Sequence, residues 1–163
     1  MSRTKFVEID DRGFWAVDDA LDVWLAYLVE AAGDAGRAEA WLSGLVEDWR
    51  CGSALADIGV TMRLPVAAHR ERVRGIAQRA RRAALAGGNV PVERLRQWII
   101  LANLAVSDGF SRTPDGVGVD RILEVADGFI GLLDGKLAAD PPHGWWYLGT
   151  GAGMSIIERR DSH

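Results

Sequence analysis

Cys51, His69 and Asp57 carry the atoms of a thiol nucleophile, a base to activate it and a carboxylate to orient that base. Residue type is all that unites them. No local signature surrounds the cysteine, and a chain of this size supplies a few such side chains by composition alone. Cys51 is therefore expected to be dispensable, since no activating base is apparent near it in the chain. The run Gly149-Thr150-Gly151-Ala152-Gly153 follows a strand-like segment, as a phosphate-binding loop would. Met154 stands where the dinucleotide fingerprint needs its third glycine, and no lysine follows as in a Walker loop, so the run reads as a hairpin turn.

Metal chemistry finds equally little. His69, His143 and His163 form no HxxxH or HExxH pair, and one cysteine cannot make a CxxC. Asp108, Asp115 and Asp120 miss the alternating spacing that gathers oxygens on calcium, and Thr113-Pro114-Asp115-Gly116 has the corners of a β-turn. There is no GxSxG elbow for a serine nucleophile. The acid pairs Asp10-Asp11 and Asp18-Asp19 fall at a turn and a helix start, where acids are structurally favoured. No catalytic residue, metal or cofactor is expected.

Two features point instead to binding. The chain has seven tryptophans, and Trp24, Trp41, Trp49 and Trp98 fall on helical apolar stripes. Trp145 and Trp146 do not. With Tyr147 and Leu148 they make a strand-like run apolar on both faces, which is either an ordinary strand buried on two sides or one whose second aromatic face is covered by a partner as a protein interface. The other feature is an arginine-rich helix, from which Arg70, Arg74 and Arg81 are candidates to hold an anionic group or an acidic partner.

The elements that must position these residues follow from periodicity. Residues 5–18 read as a β-hairpin turning on Asp11-Arg12-Gly13, with Gly13 in a positive-φ conformation and Trp15 and Val17 meeting Val7 and Ile9 across the strands. A helix from Asp18 or Asp19 to about Ala32 is apolar nearly all round and should be central. Helices are expected over 37–50, 66–85, 91–107 and from the SDGFSRTPDG loop to about 137, with a short strand in 58–64. The segment 143–160 reads as two strands about the glycine turn. The expected fold is thus α+β and predominantly α: about five helices packed on a small antiparallel sheet formed by N- and C-terminal hairpins, in a single globular domain over residues 1–163.

The chain has 163 residues, 48% of them hydrophobic, and a net charge of −4. No apolar stretch approaches a membrane span, and no signal peptide is apparent, so a cytoplasmic protein without a membrane partner is expected. Charge is segregated. Residues 1–60 hold 5 basic against 12 acidic side chains, 61–100 hold 9 against 2, and 101–163 hold 5 against 9. A basic helix lying between acidic neighbours is the simple account; charged surface patches that steer a partner are the other. Nucleic acid is not expected, because the sequence pI is about 5.4 and no aromatic residues interleave the arginines. The functional expectation is a non-catalytic protein-binding domain, with a small acidic immunity or inhibitor protein as its concrete form. Its target would be another protein, or the chain would self-associate. The alternative is a small enzyme or anionic-ligand-binding protein with an arginine-lined pocket.

Overall fold

Alternating apolar residues on either side of Asp10 pair as the first hairpin. The computed structural model describes residues 4–10, 12–106, 115–136, 147–148 and 156–158. Strand β1 (Thr4–Ile9) runs antiparallel to β2 (Arg12–Val17), with Val7 opposite Phe14 and Phe6 opposite Trp15. Lys5, Val7, Ile9, Phe14 and Ala16 are buried on one face, while the Phe6 and Trp15 rings pack 5.2 Å apart on the other.

This corrects the expected contact of Trp15 and Val17 with Val7 and Ile9. The turn is made earlier, at Asp10, whose own backbone takes the left-handed conformation at φ 52°. Asp10 is held there by its N–H donating to the Met62 carbonyl at 2.8 Å and by its carboxylate accepting the Leu64 N–H at 2.9 Å. Such a shift of register exchanges the faces of every side chain in the second strand. Gly13 lies inside β2 and supplies no positive φ. Its missing side chain is needed for a different reason: a Cβ there would overlap the Val7 carbonyl and come within 2.5 Å of Phe6 Cζ.

Helix α1 (Asp18–Ala32) is the apolar segment expected to be central, and every residue from Asp19 to Val29 is buried. It stops at Gly33, which has a φ of 51° and whose N–H reaches the Val29 carbonyl. The helix expected over 37–50 divides into α2 (Ala35–Ala38) and α3 (Ala40–Ala54). Glu39 causes the break by going extended: its carbonyl accepts the Ser43 N–H and its carboxylate accepts the Trp41 indole N–H at 2.7 Å. Leu42, Val46 and Trp49 of the expected stripe are buried.

Strand β3 (Val60–Met62) then pairs parallel to β1. Helix α4 (Ala67–Gly87) buries Val73, Ile76, Ala77, Ala80 and Ala84, the face its periodicity indicates. The helix expected over 91–107 is shorter. Helix α5 (Val92–Gln97) ends at Trp98, and β4 (Ile99–Leu101) turns back on β5 (Leu104–Ala105). The turn places Ala102 at φ 48°, and the Val106 N–H closes on the Trp98 carbonyl at 3.0 Å. A run such as Ile99-Ile100-Leu101 satisfies either period, and its β-branched residues favour the strand. Helix α6 (Val119–Asp134) ends in a left-handed Gly135, with the Lys136 N–H bonded back to Gly131.

The fold is therefore α+β and predominantly α. Helix α1 packs against α3, α4 and α6, and α1, α3 and α6 cover one face of the sheet. The sheet order is β3-β1-β2-β6, with β6 (Tyr147–Leu148) parallel to β2 and β7 (Ile156–Glu158) antiparallel to it. N- and C-terminal strands do join in one sheet, but β6 and β7 lie end to end along the same β2 edge, and the sheet is mixed. No helix among the described residues is long and apolar enough to cross a membrane.

A charged pair sits inside this core. The Lys5 ammonium lies 2.6 Å from Asp22 Oδ1 on α1, both side chains being 3% exposed, and it also donates to the Gly52 and Leu55 carbonyls at 2.9 Å. Burial pushes the Asp22 carboxyl up, from 3.8 to about 8, against the opposing pull of Lys5.

Lys5→Met should destabilise the fold by about 3–5 kcal/mol, because it strands a buried carboxyl and two carbonyls. Lys5→Met/Asp22→Leu should recover much of that loss in urea titrations. Because the folded-state value of Asp22 is raised above 3.8, its contribution to stability is full below that pH and is lost as pH rises toward about 8. The stability of the wild type relative to Asp22→Asn should accordingly decline across that window; a flat difference would contradict the account. Gly13→Ala should cost about 1–3 kcal/mol through overpacking, read in the same assay.

Candidate functional site

Three local events open a groove on one side of the helices. Helix α1 terminates at Gly33, Glu39 breaks α2 from α3, and the chain leaves α5 as the β4–β5 hairpin. Together these enclose an open cavity of about 700 Å³. Val29, Val46, Trp98 and Ile100 supply its largely buried apolar part. Trp98 is fixed edge-on against Tyr27, with ring centroids 5.0 Å apart, and carries the Arg94 guanidinium 4.8 Å above its ring. Burial raises the Tyr27 hydroxyl pKa against the pull of that arginine. On the hairpin, Ile99 and Leu104 remain 54% and 44% exposed, and Ile99 lines the groove.

Polar residues form the remaining wall. Glu30, Asp34 and Glu47 line it with Arg37 and Arg50. Arg50 ties the hairpin to α3, donating to the Ile100 carbonyl at 2.9 Å while its Nε stands 4.0 Å from Glu47. Arg37 stands 4.0 Å from Asp34 at the open surface. The last turn of α1 has no basic residue of its own, but Arg79 of α4 donates to its Ala31 carbonyl at 3.4 Å.

The arginines singled out by sequence are elsewhere. Arg70 pairs with Asp10 and donates to the Leu133 carbonyl at 3.0 Å. Arg74 reaches Asp134 at 2.5 Å, the Leu133 carbonyl at 3.2 Å and Glu71. Arg81 reaches Asp127 at 2.6 Å, and that carboxylate raises the guanidinium pKa. All three bind the chain's own acids and carbonyls, largely on α6, and none lines the groove. The simple account of the charge blocks, a basic helix between acidic neighbours, is the arrangement found. Trp145 and Trp146 lie outside the described residues. The backbone of Tyr147 is in β6, in register with Trp15 of β2.

The thiol trio is not assembled. His69 stacks on Trp41, with ring centroids 3.8 Å apart and planes 9° from parallel. Trp41 and Cys51 are ten residues apart on α3, which separates them by about 15 Å along the axis. Among the described residues no group of three or more His, Cys, Asp or Glu is placed to hold a metal. Near the sheet, Asp19 accepts a 3.0 Å hydrogen bond from Arg121, and burial raises its carboxyl pKa despite that partner.

No protein-family model matches the chain, and no curated protein or solved structure gives a significant match. Sequence reasoning misses the groove because it depends on β4–β5, a stretch whose apolar pattern also continues the period of α5. The available signal was the pair of β-branched residues, Ile99-Ile100, followed by a polar Asn103 where a turn can form.

Arg70→Ala and Arg74→Ala should each destabilise by about 1–3 kcal/mol, since both orphan partly buried hydrogen-bonding groups. Arg81→Ala breaks a more exposed pair and should cost less than about 1 kcal/mol. Thermal unfolding of the three variants checks the ranking. If Arg81→Ala were the most damaging, this view of α4 would be wrong.

Proposed function

We propose that the chain is a protein-binding domain whose contact surface is the groove beside β4–β5, and that its concrete form is a small acidic inhibitor, of the immunity-protein kind, which neutralises its partner. The observation that carries this reading is the placement of exposed Ile99 and Leu104 on a hairpin next to an open, apolar-floored cavity. Large aliphatic side chains in water beside a concave apolar surface are suited to anchoring a partner, where desolvated apolar contacts dominate binding energy. The anionic-ligand alternative draws less support. The two arginines in the groove stand near Asp34 and Glu47, so neither offers an unopposed positive charge.

Site-specific photo-crosslinking in the native host tests the reading. A photoreactive residue at Ser43, in the groove, should capture one defined protein that the same residue at Gln78, on exposed α4, does not. Ile99→Asp and Leu104→Asp should abolish the crosslink while leaving the circular dichroism spectrum and thermal midpoint unchanged. Equal capture at both positions, or capture unaffected by the two aspartates, would rule the groove out as the contact surface.

A further inference from the structure

We propose that Lys5 and Asp22 condense after folding into an intramolecular amide, an isopeptide cross-link between the first strand of the sheet and the central helix. Lys5 Nζ lies 2.6 Å from Asp22 Oδ1, and both side chains are 3% exposed. An amine and a carboxyl group held at this distance are reactants whose encounter is already arranged, and such positioning removes much of the entropic cost of forming a bond. Burial also keeps away the water that would hydrolyse the product. The acceptors around Lys5 suit its nucleophilic form. The Gly52 and Leu55 carbonyls, at the end of α3, each lie 2.9 Å from Nζ. An amine that has passed its third proton to Asp22 has two N–H groups left. The two carbonyls take them, which turns the nitrogen lone pair to the remaining direction, the Asp22 carboxyl.

The surroundings suit the electrophile as well. Burial pushes the Asp22 carboxyl up to about 8 against the pull of Lys5, and Asp18 and Asp19, one turn earlier on the same face of α1, add to the rise. Near neutral pH the group therefore holds the proton that lets one of its oxygens leave as water. The step is a dehydration and needs no oxidant or co-reactant. Nζ bonds to Cγ, one Cγ–O bond breaks, and the departing oxygen takes the carboxyl proton and one amine proton as water. The amide nitrogen keeps the last proton and donates it to one of the two carbonyls. Two buried ionisable groups are exchanged for one neutral amide, which removes the cost of carrying charge in the core. The same bond closes a covalent loop from Lys5 to Asp22 and fastens the β1–β2 hairpin to α1.

Mass spectrometry of the intact full chain under denaturing conditions reads the bond directly. The folded wild type should be lighter than its sequence mass by one water. Digestion should join the peptides of Lys5 and Asp22 into one branched species whose fragments place the link at those two residues. Lys5→Arg and Asp22→Ala should each keep the full mass. Because either variant can misfold, a second measurement uses the wild type alone. Chain recovered from inclusion bodies in urea should have the full mass and lose one water after refolding, at a first-order rate that does not change with protein concentration, while chain kept in urea should not lose it. Full mass after prolonged incubation of wild type whose circular dichroism shows it folded would overturn the proposal. So would the same loss in urea or in the Lys5→Arg chain, or a loss confined to a linear peptide, the mark of an aspartyl succinimide.

Discussion

A lysine ammonium and an aspartic carboxyl group meet in the middle of the core, and the placement of three elements follows from the need to keep both satisfied. Lys5 shares the inward parity of Val7 and Ile9, so once β1 packs on the helices its charge is carried out of water. Three acceptors answer its three protons: Asp22 on α1, Gly52 on α3 and Leu55 just beyond it. The two carbonyls belong to the C-terminal end of a helix, where such groups lack intrahelical partners and attract positive charge. Ser53 adds a 2.7 Å hydrogen bond from α3 to the Asp22 carbonyl. Gly52 permits the approach, since a Cβ there would come within 2.8 Å of Leu25. A sliding of β1, α1 or α3 would leave a buried charge uncompensated. That penalty disfavours alternative packings that an all-aliphatic core would tolerate.

Charge also organises the opposite side of α1. The basic block in 61–100 is met by Asp10 at the hairpin corner and by Asp127 and Asp134 on α6. Small residues on α4 bring its backbone close to its neighbours, while arginines at its flanks reach outward to acids and carbonyls. The acidic surplus of the first 60 residues is thus only partly consumed. Much of the remainder is concentrated near the end of α1 and along α3, beside the groove. Internal pairing of one charge block and exposure of part of another are two consequences of the same packing.

Much of the architecture was legible because several helices have a single periodic answer. The all-round apolar character of α1 requires a central position, and Val73, Ile76, Ala77, Ala80 and Ala84 fix the buried face of α4. The hairpin was legible as an element but not in register. The decisive fact, Asp10 adopting the conformation usually left to glycine, is enforced by residues more than fifty positions later. The stretch after Trp98 was ambiguous because a short apolar run fits a helix and a strand alike, and the groove was lost with it. The Lys5–Asp22 pair left a trace that parity alone reveals: a lysine on an inward strand position demands an acid somewhere in the core. Which acid it finds depends on how α1 lies across the strand, a matter of tertiary packing.

The β2 edge has a temporal consequence. One side of that strand pairs with β1, a few residues earlier in the chain, but its other side is filled by β6 and β7, from residue 147 onward. A ribosome makes these segments far apart in time. Throughout synthesis of the helices, the nascent sheet presents a row of unpaired amides and carbonyls, the kind of edge that recruits strands from other chains. Helix α1 can shield one face of that young hairpin but not its rim. The strands that satisfy this rim are thus the last described elements of the sheet to be synthesised.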